Sequence, residues 1–196
     1  MATQLYNSLI EDIVGWTNRP DLVPEMNMAI RNAVRTAHRA GKFVRDIVTV
    51  ELPAVTIEQI QQIDYTALPF VRYRQLHSVG PTELDMMYSS VDSLDLFDVD
   101  GYARTNVVYV IGTVIHVRAN APVSKVRVRY YQRPDVDDVT NISDWIADVH
   151  RELIVLWAAS TVLTAINETD IKGRVEKLAA LAYTDMVEDS LEGHGR

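Results

Sequence analysis

Five histidines, His38, His77, His116, His150 and His194, are the residues of this chain best suited to acid–base or metal chemistry, and they are scattered singly. A structural or catalytic zinc site needs ligands at short, fixed spacings. His150 is followed by Arg151 and Glu152, but no H-E-x-x-H is formed, and Ala147 stands where a di-iron E-x-x-H motif needs its glutamate. There are no cysteines, which removes thiolate ligands, thiol nucleophiles and disulfides together. The pattern "DVDG" at 98–101 resembles part of a calcium loop. Aligning Gly101 with the turn glycine puts Leu96 and Val107 at the first and last ligand positions, where carboxylates are required. No phosphate-binding glycine loop and no G-x-S-x-G elbow occurs. Each histidine therefore reads as an ordinary polar contact, and neither an enzyme nor a cofactor is expected.

Charge placement is more informative. The chain carries a formal net charge of −8, yet Arg118, Lys125, Arg127, Arg129 and Arg133 follow one another in a stretch with no acidic residue. In the opposite sense, Asp185, Glu188, Asp189 and Glu192 close the last helix with no base among them. Arg31, Arg35 and Arg39 recur every fourth residue, which aligns them on one helical face. Taken singly, each block reads as a solvated face. Opposite blocks in one chain suggest instead that a patch on one copy meets its complement on the next, giving head-to-tail assembly. Tyr130 and Tyr131 beside Arg127 and Arg129 resemble an aromatic–basic nucleic-acid platform, but no accompanying RNA-binding pattern supports sequence-specific recognition. The overall acidity argues against nucleic-acid binding by the protein as a whole.

These residues must be positioned by regular elements. Leu5, Leu9, Ile13 and Trp16 predict a helix over 4–16. A second is expected to run to about Arg39, with Asp21 as N-cap, Pro24 in the first turn and Gly41 as the stop. From Phe43, "FVRDIVTVEL" predicts a strand, and "IQQID" and "VRYRQLHSV" read as further strands. Residues 81–101 carry Glu83, Asp85, Asp92, Asp95, Asp98 and Asp100, and suit a short helix or turn with an exposed loop. Residues 106–131 predict three strands in an antiparallel meander, turning at Gly112. In the last strand, Val126, Val128 and Tyr130 alternate with Lys125, Arg127, Arg129 and Tyr131. Residues 143–166 predict one buried helix, with Trp145, Val149, Leu153, Leu156 and Leu163 on a stripe. A last helix follows from Ile171 to Leu191, its apolar side being Val175, Leu178, Ala179, Ala182 and Met186.

The expected class is α+β: a discontinuous helical bundle from 1–45 and 140–196, with an inserted antiparallel β module over 46–139. The N-terminus lacks the basic start and apolar run of a secretory signal. The run "LIVLWAA" at 153–159 falls far short of the roughly 20 residues a membrane span needs. No membrane association is expected.

At this point the arrangement resembles a known family. "LYNSLIEDIVGWTNRPDLVPEMNMAIRNAVRTAHR" is similar to the N-terminal helical hairpin of head-to-tail connector (adaptor) proteins of tailed bacteriophages, through Trp16, Arg19, Asp21 and Leu22. "VYVIGTVIHVRANAPVSKVRVRYYQRP" resembles that family's strand, glycine turn, strand, loop and strand ending in paired tyrosines, and "DWIADVHRELIVLWAASTVL" resembles the helix that follows. Residues 52–101 are longer and more acidic than the family pattern, and Trp157 stands where smaller residues are common.

The resemblance implies a structural protein without catalysis. Such adaptors form a ring, usually dodecameric, beneath the portal protein; they extend the DNA channel and dock a tail tube, nozzle or fibres. It further implies a virion location at the head–tail interface, after assembly in the host cytoplasm, with only transient passage of genomic DNA. Arg118, Lys125, Arg127, Arg129 and Arg133, with Asp185, Glu188 and Asp189, would then be inter-subunit or tail contacts. Arg31, Arg35 and Arg39 would form a portal-facing helix face. The alternatives are another neck protein, such as a tail terminator, and a monomeric bacterial binding domain with its ligand in the β module.

Overall fold

The computed structural model describes residues 2–41, 43–57, 60–64, 76–81, 89–90, 106–111, 114–119, 124–132 and 134–192. Helices α1 (Ala2–Thr17) and α2 (Val23–Ala40) come first, followed by a 3-10 turn at Val44–Asp46. Among the described residues eight strands follow: β1 (Ile47–Pro53), β2 (Val55–Ile57), β3 (Ile60–Asp64), β4 (Leu76–Pro81), β5 (Ser89–Ser90), β6 (Val107–Ile111), β7 (Val114–Arg118) and β8 (Lys125–Tyr131). A second 3-10 turn (Val139–Asn141) leads into α3 (Trp145–Val149), α4 (Arg151–Ala165) and α5 (Thr169–Glu192). The chain is α+β. Its contacts divide it into two compact units, one of residues 1–44 with 133–196, the other of residues 45–132.

The helical unit is organised around α4. Leu153, Ile154, Val155, Leu156, Ala158, Ala159, Val162 and Leu163 are all buried, so apolar residues face most of its circumference. A helix of that kind must be enclosed, and α1, α2 and α5 all pack against it. Leu9 and Ile13 of α1, Met26, Ile30 and Val34 of α2, and Val175 and Met186 of α5 join the same core. Val136, Val139 and Ile142, from the connection between β8 and α3, are buried in it too.

Helix ends follow local chemistry. Asn18 and Asn167 adopt positive φ (51° and 61°) just beyond α1 and α4, a conformation asparagine tolerates better than most residues. The expected cap at Asp21 is not formed. Leu22 occupies that position without a side-chain cap, because both Asp21 oxygens accept hydrogen bonds from Arg19, Nε at 2.8 Å and Nη2 at 2.7 Å. That contact holds the Asp21 carboxyl down at about 2. Gly41 ends α2 in an extended conformation. A Cβ there would come within 2.5 Å of the Phe43 ring, so the ring's close approach requires glycine. Phe43 itself is buried in the helical core, edge-on to Trp145 with ring centroids 5.3 Å apart. The strand expected from Phe43 accordingly begins only at Ile47.

The single helix expected over 143–166 is broken at His150, whose φ of −108° and ψ of 43° are not helical. Asp144 caps α3, its Oδ1 accepting from the amides of Ile146 (3.0 Å) and Ala147 (3.1 Å). The break resets the helical register. Val149, placed on the buried stripe by periodicity, is 55% exposed. On α5, Leu178 likewise departs from the expected apolar side and is 38% exposed, whereas Val175, Ala179 and Met186 are buried.

In the second unit the strands form two sheets, one ordered β1-β8-β4 and the other β2-β3-β7-β6-β5. All pairings are antiparallel except β5 with β6. The expected meander is therefore only half present. β6 and β7 pair, Ile111 opposite Val114, but β8 leaves them and runs between β1 and β4. The reason is burial. Val126, Val128 and Tyr130 of β8 stack on Val108, Ile115 and Val117 of β6 and β7 in one small core, which requires β8 to lie over those strands rather than beside them. The turn at Gly112, residues 71–75 of "VRYRQLHSV", and most of the acidic segment 81–101 lie outside the described residues.

Candidate interaction surfaces

β8 lies at the centre of its sheet and sends Lys125, Arg127, Arg129 and Tyr131 to the face opposite the core. The burial pattern along it alternates strictly, from exposed Lys125 and buried Val126 onward. Its register partners on β1 are Pro53 for Lys125, Glu51 for Arg127, Thr49 for Arg129 and Ile47 for Tyr131. On β4 the partners are Gly80 for Arg127 and Ser78 for Arg129. Among the described register partners of these three bases the acid is Glu51, whose Oε1 lies 3.5 Å from Arg127 Nη2. Among the described residues, Lys125 and Arg129 have no ion pair or hydrogen bond from their side chains.

The five bases of the sequence stretch do not form one stripe. Arg118 lies on β7 in the other sheet, in phase with His116 and out of phase with the buried Ile115 and Val117. It therefore faces away from the shared core, on the opposite side of the sandwich from Arg127 and Arg129. Next to it, His116 stacks flat on Tyr109, ring centroids 4.9 Å apart, and burial pushes the imidazole below its ordinary value. Arg133 lies outside the described residues.

Asp185, Glu188 and Asp189 are exposed on α5. Their spacing of three and four residues puts them on one flank, continuous with Leu181 and Leu178, which are 65% and 38% exposed. None of the three carboxylates has an ion pair or hydrogen bond among the described residues.

The α2 arginines behave differently. Arg31 donates through Nε to the Val136 carbonyl at 3.1 Å and through Nη2 to the Asp137 carbonyl at 2.7 Å. Arg35 pairs with the Asp137 carboxylate at 2.8 Å. Two of the three residues expected to form a docking face therefore hold the 136–137 connection against α2, and Arg39 alone is exposed at the last turn.

Sequence reasoning missed one polar element. His38 Nε2 lies 2.7 Å from Asp144 Oδ2, both side chains nearly buried, and the same carboxylate caps α3. His38 also meets Trp145 edge-on. These residues are 106 positions apart, so no local spacing could pair them; a Ser-Asp before an apolar run signals only the cap.

Surface grooves also mark the helical unit. One of about 450 Å3 runs between α2 and α5 over α4, with Ala33, Trp157, Ser160, Thr161, Glu176 and Tyr183 on its walls. Another, about 660 Å3, lies against α1 and α4 beside Trp16 and the Asp12–Arg151 pair. Among the described residues, no three His, Asp or Glu side chains come together to hold a metal ion. No described helix is long and apolar enough to cross a membrane. In a comparison with known protein families, the model of the SU10 adaptor protein matches residues 4–194. No curated protein matches the chain significantly.

Proposed function

We propose, from the premise that this chain belongs to the SU10 adaptor protein family of phage structural proteins, that it forms a ring joining the portal protein of a filled head to the tail. The ring continues the DNA channel below the portal and offers its outer surfaces to a tail tube, nozzle or fibres. Its work is positional: it holds neighbouring proteins in register and carries out no reaction. The observation behind this reading is the extent of the match, from residue 4 to residue 194, which spans the helical and the β unit alike. A net charge of −8 suits a channel wall, since a negative lumen repels phosphates and lets DNA slide without adhering.

The test is the sedimentation mass of the purified chain, alone and after mixing with portal rings of the same virus. A complex carrying many copies per portal is the expected result. A chain that stays a small monomer beside intact portal rings overturns the reading and favours a tail-completion protein or a stand-alone binding domain.

A further inference from the structure

The two charged surfaces correspond in order as well as in sign. Along the outer face of β8, from its C-terminal end, come the half-buried pair Tyr131–Ile47, then Arg129, then Arg127 with Glu51, then Lys125. Along the α5 flank, toward the C-terminus, come exposed Leu181, then Asp185, then Glu188 and Asp189. Each surface is thus apolar at one end and charged beyond it.

The spacings correspond too. Alternate residues on a strand are about 6.7 Å apart, and residues four apart on a helix are about 6 Å apart. Over two or three steps, flexible arginine and carboxylate side chains absorb that difference. Lys125, Arg129 and all three carboxylates are without ionic partners among the described residues.

We infer that in the assembled ring the α5 flank of one copy lies antiparallel along the outer face of β8 of the next. Leu181 covers Tyr131 and Ile47, Asp185 pairs with Arg129, and Glu188 or Asp189 reaches Arg127. This rests on the ring reading above and adds to it which surfaces close the ring. The contact is heterologous, so each copy uses both surfaces and the chain of contacts can run round a closed ring. Arg129 is the central cation, because Arg127 is already partly neutralised by Glu51 at 3.5 Å. A second copy is the occupant because the complementary surface, apolar and acidic in the same order, is present in this chain.

The experiment is a charge exchange read by sedimentation mass on portal rings of the same virus. Arg129→Glu and Asp185→Arg are each expected to weaken assembly about tenfold or more, since like charges then face each other. The double variant, with both changes in one chain, is expected to assemble again. So is an equimolar mixture of the two single variants, because copies can alternate and every interface then pairs opposite charges.

Rescue by mixing excludes a contact within one chain, which mixing could not restore. Several outcomes overturn the inference. If neither single change weakens assembly, or neither the double variant nor the mixture recovers it, the pairing is wrong while the adaptor reading stands. If the single changes leave the portal complex intact but abolish tail attachment, the basic face meets a tail protein instead. If the unaltered chain fails to assemble on portal rings, both readings fall together.

Discussion

The helical unit and the β unit solve the same problem with unequal means. The helical unit gathers residues from Leu9 to Met186 into one core around α4. The β unit closes its two sheets over Val108, Ile115, Val117, Val126, Val128 and Tyr130. Stability follows buried apolar area, so the helical unit should be the firmer of the two. Charge is used differently from one face to another, in both units: α5 carries the exposed carboxylates Asp185, Glu188 and Asp189. In the helical unit, Arg31, Arg35, Arg151, His38 and Asp144 are engaged within the fold. On the outer face of β8, Lys125 and Arg129 have no such partner among the described residues. Intramolecular partners mark where charge builds the fold, and their absence on an ordered strand marks where it is available to a neighbour.

The sharpest way to break this contrast is in the core of α4. Leu156→Ala removes a fully buried side chain from the helix that all others contact, and should cost about 3 kcal/mol. Calorimetry should show the helical transition shifted down and the β transition in place; a common shift of both would mean that the units unfold as one. Next in size is Asp144→Ala, at about 3 kcal/mol or slightly less. It strands buried His38 and uncaps α3 together. Chemical denaturation should rank it well above His150→Ala; equal effects would mean that the buried pair contributes little.

Val128→Ala, in the smaller core, should cost about 2 kcal/mol and act on the β transition. Arg129→Glu, one residue further along the same strand but on its outer face, should change stability by less than about 0.5 kcal/mol. A large loss of stability from Arg129→Glu would place that face inside the folding interactions and blur the distinction between the units.

The smallest effect concerns pH. Asp21 is held at about 2 against an ordinary 3.8 by hydrogen bonds from Arg19. A depressed carboxylate contributes stability above its ordinary value and loses it as pH falls through the folded one. Asp21→Asn should therefore lower the melting temperature slightly at pH 7, where the contribution is fully present, and flatten the acid limb between about pH 4 and pH 2, so that the two proteins converge at the acid end. An unchanged acid limb would show that the exposed Arg19–Asp21 contact is screened away in solution.

Much of this was legible in the residues because it is periodic or local. Leu9 and Ile13 at helical spacing, the asparagines that end α1 and α4, and the strict alternation from Lys125 to Tyr131 are short-range properties of the chain. They specify the elements and which residue faces which way. The acid–base asymmetry between 118–133 and the end of α5 was equally plain, being composition alone.

What the sequence left open depends on partners distant in the chain. Periodicity could not see that β8 would stack on β6 and β7 instead of pairing with them, because a buried strand face reads the same in either arrangement. For that reason Arg118 and Arg129, close in sequence and alike in charge, end on opposite sides of a sandwich. Nor could it see that Arg31 and Arg35 would be drawn to the carbonyls and carboxylate at 136–137, or that His38 would find Asp144. The sequence by itself determined the α+β class, the helical ends around a β-rich middle and the two charged surfaces, all fixed by local pattern. Only the tertiary structure decided which charges serve the fold and which stay exposed, since that depends on which distant groups burial brings within hydrogen-bonding reach.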